Sequence, residues 1–183
     1  MVYIMLAKGF EEIEALTVCD VLRRAGIACA LVSQEKAVTG AHGITVNADI
    51  LIGEVDLTAL DAIVLPGGMP GVDNLENDAK VQDILKFAVD NDLLVCAICA
   101  APRILGNAGY LQGKKAVCYP SFEKYLTGAD VSFDSVMHDA NFITSRGMGT
   151  AMDFAFEIVA TLKDDATAGK ISKGIIYEQA DNN

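Results

Sequence analysis

The sequence of 183 residues lacks any long apolar run and any secretory start. No hydrophobic stretch approaches the roughly 20 residues that a helix needs to cross a bilayer. The chain opens with "MVYIMLAKGFEEIE", a short apolar run with no basic residue before it and acids directly after it. Such a start is unlike a secretory signal. We therefore expect no membrane partner and a cytoplasmic location.

Positive charge is also scarce, because 14 Lys and Arg residues stand against 25 Asp and Glu, for a formal net charge of -11. A chain this acidic is repelled by phosphate backbones, so we expect no nucleic-acid partner. Its composition, 52% hydrophobic and 21% charged, is that of a folded chain with a substantial core. The length predicts a single domain over residues 1–183.

The cysteine pattern favours neither a disulfide framework nor a zinc site. Five cysteines, an odd number, occur in a chain large enough to build its own core, which indicates reduced thiols. A zinc site at Cys96 and Cys99 needs two further ligands. The chain has only His42 and His138 and no second C-x-x-C, so we expect no metal site.

Apolar runs alternate with amphipathic stretches along the chain, and this alternation predicts a doubly wound α/β domain, a mostly parallel sheet flanked by helices. The glycine-bearing segment 37–52 reads as an antiparallel excursion. In the first helix the apolar positions recur at Ile13, Leu16, Thr17 and Val21. The predicted strands are 2–7, 27–33, 60–65, 93–99, 114–120 and others within 131–147, and the predicted helices are 11–25, 78–92, 100 to about Gly106 or Gly109, and 150–164.

Three unusual segments fall at predicted strand ends: "AKGFEE" at 7–12, "LPGGMPG" at 65–71 and "AICAAP" at 97–102. Ligands of doubly wound sheets bind beyond the carboxyl ends of strands, where the winding direction switches. We therefore expect these segments to line one crevice.

Cys99 directly follows one predicted strand and directly precedes a predicted helix. A nucleophile there stands on a tight turn, and the N–H groups of the helix start favour a thiolate. The alternative is a small buried filler residue. We predict a reactive thiol whose pKa lies well below the roughly 8.5 of a free cysteine.

Cys96 lies inside the apolar run, so we expect it in the core. The C-x-x-C spacing raises the alternative of a thioredoxin-like redox pair. Pairs of that kind usually have both cysteines at the helix start, whereas Cys96 falls within the strand, which disfavours this interpretation.

A reactive cysteine needs a group that sets its protonation and donors that hold an oxyanion. Gly67 and Gly68 allow the backbone to aim N–H groups at a ligand. Of Glu11, Glu12 and Glu14, two are expected to be solvated acids of a first helical turn. Glu14 is expected to face the sheet instead, with a raised pKa that lets it donate to the sulfur.

The histidines have no catalytic signature. His138, in "VMHDAN", is expected in a turn between strands, and His42 lies in the glycine-bearing excursion. A surface or turn role is expected for each, with His42 within possible reach of the crevice.

The segments "AKGFEEIEALTVCDVLRRAGI", "VLPGGMPG", "AICAAP" and "TSRGMGTAMDFAFEIV" occur in this order along the chain. Together they resemble the ThiJ/PfpI (DJ-one) family of the class I glutamine amidotransferase-like fold, within it a bacterial YajL-like branch. The resemblance covers essentially the whole chain. It implies a cofactor-independent protein that is typically a homodimer, with activities that include glyoxalase action, deglycation, chaperone-like protection and oxidative-stress sensing.

The resemblance also implies roles for single residues. Cys99 matches the family's oxidisable elbow cysteine, and Glu14 matches the protonated glutamate that hydrogen-bonds its sulfur. Gly67 and Gly68, with the N–H of Ala100, match the backbone donors of the oxyanion pocket.

The chain departs from the family pattern at two places. Tyr119 stands where many relatives have a histidine before a proline, so a protease-like Cys-His pair and amidotransferase action are disfavoured. His42 stands where this branch often has an arginine that reaches the partner subunit's pocket, and we expect His42 to take over that contact more weakly. Arg146 matches the family motif and is expected to be structural.

Two functions follow as hypotheses. The first is an enzyme that uses Cys99 and Glu14 on a small α-oxoaldehyde or its glycated adducts. The second is a redox-sensing or chaperone-like stress protein without substrate turnover, since an accessible thiolate is what peroxide oxidises first. An inert interaction protein ranks below both.

Overall fold

The computed structural model describes residues 1–177, within which six helices and eleven strands follow one another in mixed order. The strands are β1 Val2–Met5, β2 Cys29–Ser33, β3 Ala37–Thr39, β4 Thr45–Asn47, β5 Ile50–Leu51, β6 Ala62–Leu65, β7 Leu94–Ile98, β8 Lys115–Ala116, β9 Asp130–Val131, β10 Val136–Asp139 and β11 Phe142–Ser145. The helices are α1 Glu12–Arg24, α2 Gly71–Glu76, α3 Ala79–Asp90, α4 Pro102–Asn107, α5 Ala151–Leu162 and α6 Asp165–Gly174.

Seven strands form one sheet in the order β10-β11-β7-β6-β1-β2-β5. Every neighbouring pair is parallel except β10 and β11 at one edge. The predicted fold class, a mostly parallel sheet flanked by helices, is confirmed. Within residues 1–177, no helix is both long enough and apolar enough to span a bilayer.

The central strands are buried on both faces, which explains their continuous apolar sequences. All four residues of β1 and all five of β7 are buried. Alternate β1 side chains enter two separate cores, with Ile4 packed on the face that carries α1, α5 and α6, and Tyr3 on the face that carries α2, α3 and α4. Helices therefore cover both faces of the sheet.

The winding direction switches at β1, which lies between β2 and β6. The loops that follow β1 and β6 consequently meet at one edge of the sheet. The N–H of Glu11 donates to the carbonyl of Gly67 at 2.8 Å, and the N–H of Gly71 donates to the carbonyl of Gly9 at 3.1 Å. The predicted convergence of the "AKGFEE" and "LPGGMPG" segments is confirmed.

The smaller elements match the prediction only in part. The antiparallel excursion is confirmed, since β3 pairs antiparallel with β4 before β5 joins the main sheet. Of the predicted strand 114–120, only β8 forms, and it pairs with β9 outside the main sheet. Helix α6, capped by Asp164 through the N–H of Thr167, has no counterpart in the prediction.

Helix α1 buries a face slightly different from the predicted one. Ile13, predicted to be apolar core, is 49% exposed, whereas Val18 and Leu22 are fully buried. The rotation follows from the first turn, where Glu12 and Glu14 are both buried against loops and thus occupy part of the inward face.

Candidate active site

Cys99 occupies the turn between β7 and α4, with a backbone φ of +66°. This left-handed conformation is uncommon for a residue with a side chain and persists only where surrounding structure fixes it. The Cys99 N–H donates to the carbonyl of Ser145 at 2.9 Å, and the Tyr119 N–H donates to the Cys99 carbonyl at 2.8 Å. The predicted elbow between strand and helix is confirmed.

Glu14, the third residue of α1, is 1% exposed and faces the turn that carries Cys99. Its Oε2 accepts a hydrogen bond from the N–H of Gly67 at 2.8 Å. Its Oε1 has no hydrogen-bond partner within residues 1–177. Burial raises the pKa of Glu14 to about 7, against the opposing effects of the Gly67 N–H and the Cys99 side chain. The raised pKa that the sequence predicted for Glu14 is therefore explained by the burial of its carboxyl.

Gly67 separates the Glu14 carboxyl from the Cys99 sulfur. A Cβ at position 67 would lie 2.6 Å from the Cys99 Cβ, 2.6 Å from Glu14 Oε2 and 3.0 Å from the Cys99 Sγ. Such distances leave no space for any side chain. The glycine is therefore what allows the carboxyl and the thiol to approach the same backbone segment.

The pKa of Cys99 differs in direction from the value predicted from the sequence. Burial, followed by the charge and hydrogen bonding of Glu14, raises it to about 12, while the N–H groups of Ala100 and Gly68 oppose the rise. The prediction took Glu14 as a protonated donor to the sulfur and did not include the burial of the thiol, so its direction is wrong. The charge of Glu14 disfavours ionisation of Cys99, whereas the Cys99 side chain favours ionisation of Glu14, so near neutral pH the thiol keeps its proton and the Glu14 carboxyl is the group that titrates.

Two of the three predicted backbone donors face the sulfur. The N–H groups of Ala100 and Gly68 lower the pKa of Cys99, so both point toward the thiol. Gly68 has a φ of +89°, a conformation suited to glycine, and this orients the turn. The N–H of Gly67 instead donates to Glu14. Gly67 thus fixes the carboxyl, and Gly68 and Ala100 stay available to a ligand oxygen.

Glu12 contradicts the expectation that it would be a solvated acid, since it is only 3% exposed. Its Oε1 accepts from the N–H groups of His42 at 2.8 Å and Ile44 at 3.3 Å, and its Oε2 lies 3.2 Å from His42 Nδ1. Burial would raise the pKa of Glu12, but these donors lower it overall. Sequence reasoning missed this role because nothing local links residue 12 to a turn thirty positions later.

The side chain of His42 is 69% exposed and its ring nitrogen Nδ1 lies near Glu12 and Glu11. Hydrogen bonding to Glu12, with the charge of Glu11, raises the pKa of His42. Within one chain, His42 is therefore part of the 42–44 turn, whose N–H groups donate hydrogen bonds to Glu12. The surface role expected for this residue agrees with its exposure.

Ligand atoms of Glu11, Glu12 and His42 lie within 4.8 Å of one another, a spacing that a metal ion could bridge. Both oxygens of Glu12 already accept hydrogen bonds from the 42–44 turn. A cation there would compete with these bonds, so the cluster is explained by the hydrogen bonding of the turn.

Cys96 and His138 are structural in their contacts. Cys96 is fully buried in β7, as predicted, and burial raises its pKa. His138 lies in β10 and not in the expected turn, with Nδ1 2.8 Å from Glu157 on α5. The side chain of Tyr119 is exposed beside Gly147, and Arg146 lies near the carbonyl of Phe133.

The model of the DJ-1/PfpI family matches residues 1–161. An Arabidopsis thaliana protein, DJ-1 homolog B, is 37% identical over 96% of this chain, which spans only 41% of that longer relative. A deglycase of Pyrococcus abyssi is 33% identical over 88% of this chain and 99% of its own length. The glutathione-independent glyoxalase DJR-1.2 of Caenorhabditis elegans is 31% identical over 89% of this chain and 88% of its own.

Solved structures agree with the sequence relatives. A structure of oxidised DJ-1 from Toxoplasma gondii superimposes with a TM-score of 0.93 at 35% identity, covering 97% of this chain and 98% of that one. A DJ-1 superfamily protein from Salmonella typhimurium gives 0.91 at 34% identity, with the same coverage of both chains. The likeness extends over nearly the whole sheet and its helices.

Proposed function

This chain belongs to the DJ-1/PfpI family, and we propose that it is a cysteine-dependent, cofactor-independent enzyme that acts on small α-oxoaldehydes or their glycated adducts. Relatives named as a deglycase and as a glutathione-independent glyoxalase support this reaction class. The observation that carries the proposal is the Glu14–Cys99 pair, a buried carboxyl with a pKa of about 7 beside a thiol on a strained turn.

The first step is addition of the Cys99 sulfur to the aldehyde carbon. Because the pKa of Cys99 is raised, the thiol needs a base as it attacks, and the carboxylate of Glu14 is placed to take its proton. The C–S bond forms while the carbonyl π electrons move to oxygen. The N–H groups of Gly68 and Ala100 stabilise that oxyanion, which then receives the proton from Glu14 to give a hemithioacetal.

The second step moves a hydrogen between the two carbons of the substrate. Glu14, again a carboxylate, removes the proton from the carbon bonded to sulfur and returns it to the neighbouring carbon, by way of an enediol. The hydroxyl proton of the first oxygen passes to the second oxygen, so the hemithioacetal becomes a 2-hydroxy thioester. Water then hydrolyses the thioester, which releases a 2-hydroxy acid and restores the thiol.

The test is formation of lactate from methylglyoxal by the purified protein without glutathione. We expect turnover in the wild type and none above background in Cys99→Ala. Cys118→Ala is the control, since Cys118 is a buried thiol whose pKa burial also raises to about 12. Full activity of Cys99→Ala, or none in the wild type, contradicts the proposed enzyme.

The second candidate is a redox-sensing or chaperone-like stress protein. The elbow holds Cys99 partly accessible beside Glu14, a setting that also allows oxidation of the sulfur. Negligible lactate formation, together with addition of two oxygens at Cys99 after mild peroxide treatment, would support this candidate in place of the enzyme.

We also propose that the chain acts as a homodimer, with His42 near the partner's pocket. Ile13 and Ile44 are 49% and 54% exposed, and Glu12 joins their two segments through the N–H of Ile44. Two exposed apolar side chains beside His42 favour a buried contact in an assembly. Sedimentation equilibrium of the wild type and of Ile13→Glu tests this, with a monomeric wild type as the contradicting result. The YajL-like branch stays a prediction.

A further inference from the structure

A second pair of sulfur groups lies on the α1 face of the sheet, away from the elbow. Cys19 is on the third turn of α1 and Cys29 is the first residue of β2. The Cys29 thiol donates to the Cys19 carbonyl at 3.8 Å. Cys19 is 5% exposed, whereas Cys29 is only partly buried and packs on the same apolar cluster. One cysteine is therefore sheltered and its neighbour is partly exposed.

A cation adjoins this pair. Arg23 follows Cys19 by one helical turn, and its guanidinium binds the Asp49 carboxylate at 2.6 Å. Asp49 is itself held by the N–H of Leu31 at 2.8 Å, which fixes the arginine over the start of β2. Hydrogen bonding to Cys19, then to Arg23, lowers the pKa of Cys29 to about 7 against its burial and the charge of Asp49. The pKa of Cys19 is raised, chiefly by the same contact with Cys29.

We propose that Cys19 and Cys29 form a second, redox-active site, in which Cys29 attacks a hydroperoxide and Cys19 resolves the product to an intramolecular disulfide. An accessible sulfur beside a guanidinium, with a sheltered thiol in contact, is the arrangement that such chemistry requires. The site is separate from the Glu14–Cys99 pair and does not depend on the function proposed there.

The reaction balances with a hydroperoxide as the only oxidant. The Cys29 thiolate attacks one peroxide oxygen, so an S–O bond forms, the O–O bond breaks, and the departing oxygen leaves as water or an alcohol after protonation. The Cys19 sulfur then attacks the Cys29 sulfur. The S–S bond forms, the S–O bond breaks, and hydroxide leaves as water with the Cys19 proton. Two thiols lose two electrons, and the peroxide gains them.

The test is peptide mapping of the full-length chain after treatment with stoichiometric hydrogen peroxide. Trypsin cleaves after Arg23 and Arg24, so Cys19 and Cys29 fall on different peptides. We expect a disulfide-linked Cys19–Cys29 peptide pair under non-reducing conditions, lost on reduction. The link should form equally in Cys99→Ser, which removes the elbow sulfur, and in Cys118→Ser as a control.

Single substitutions assign the two roles. In Cys19→Ser the Cys29 sulfenic acid should persist and be trapped by a 1,3-diketone reagent, whereas Cys29→Ser should show neither the link nor a label on Cys19. Absence of the link in peroxide-treated wild type overturns the proposal, even if a variant fails to fold. A link that appears only between two chains on a non-reducing gel, or a label on Cys19 in place of Cys29, also overturns it.

Discussion

The two sulfur environments of this protein differ in the charge that stands beside the thiol. Burial, followed by the charge of Glu14, raises the pKa of Cys99 to about 12, whereas hydrogen bonding to Cys19, followed by that to Arg23, lowers the pKa of Cys29. The residue at the helix start is thus the less acidic of the two. A strand-to-helix turn therefore presents a nucleophile, while burial and the neighbouring side chains decide whether it is ionised.

The largest effect is expected from Glu14→Gln, which removes both the catalytic base and the negative charge beside Cys99. Loss of the base should reduce lactate formation by roughly 10²–10⁴-fold, the usual contribution of general acid–base catalysis. Removal of the negative charge should at the same time lower the pKa of Cys99 and accelerate its alkylation by about tenfold per pKa unit.

Rates of iodoacetamide labelling against pH, read by mass spectrometry at Cys99, measure this change in the wild type and the variant. Glu14→Asp retains the charge and serves as the control. Slower labelling in Glu14→Gln would mean that the protonated carboxyl stabilises the thiolate. Glu14 would then lower the pKa of Cys99 and not raise it.

The same buried carboxyl should make stability depend on pH. Its pKa of about 7 in the folded state lies above the ordinary value of 4.5, so the folded state keeps a proton that the unfolded chain releases. The stabilisation is therefore complete below pH 4.5 and is lost as the pH rises through about 7. At about 1.4 kcal/mol per pKa unit, the loss amounts to about 3 kcal/mol.

Urea unfolding of wild type and Glu14→Gln at several pH values measures this loss. The two free energies of unfolding should diverge between pH 4.5 and about 7, with the variant more stable above that range. A difference that does not change with pH would show that the Glu14 carboxyl is not the group that titrates.

A smaller effect on stability is expected from Gly67→Ala, which tests whether close approach is needed at the Glu14–Cys99 pair. The added Cβ would lie 2.6 Å from both the Cys99 Cβ and Glu14 Oε2, and overpacking of this kind costs about 1–3 kcal/mol. Turnover should fall because the pair is pushed apart. Gly149→Ala is the control, since its Cβ would meet no atom within 4 Å. Equal effects of the two substitutions on stability and turnover would contradict the assigned spacing role.

The smallest effect is expected at the other sulfur. Arg23→Ala removes the cation beside Cys29, so alkylation of Cys29 at pH 7 should slow by up to about tenfold, as for a rise of one pKa unit. Arg24→Ala is the matched control, because Arg24 pairs with Asp20 at 2.6 Å. Equal alkylation rates in the two variants would show that Arg23 does not lower the pKa of Cys29.

Sequence patterns predicted the sheet, four of the six helices and the elbow because those depend on local periodicity and on the order of strands. They did not predict the burial of Glu12, since its donors at His42 and Ile44 come from a distant turn. The contact between Cys19 and Cys29 was missed for a similar reason, as it depends on how α1 is rotated against β2. Helix α6 was missed although Asp164, which caps it, provides a usable signal.

The first turn of α1 carries both Glu12 and Glu14. Glu12 accepts hydrogen bonds from the 42–44 turn, and Glu14 faces the sulfur of Cys99. The hairpin of β3 and β4 is thereby attached to the helical turn that positions the carboxyl of Glu14. The loop that joins the two strands and the carboxyl beside Cys99 therefore depend on the same helical turn.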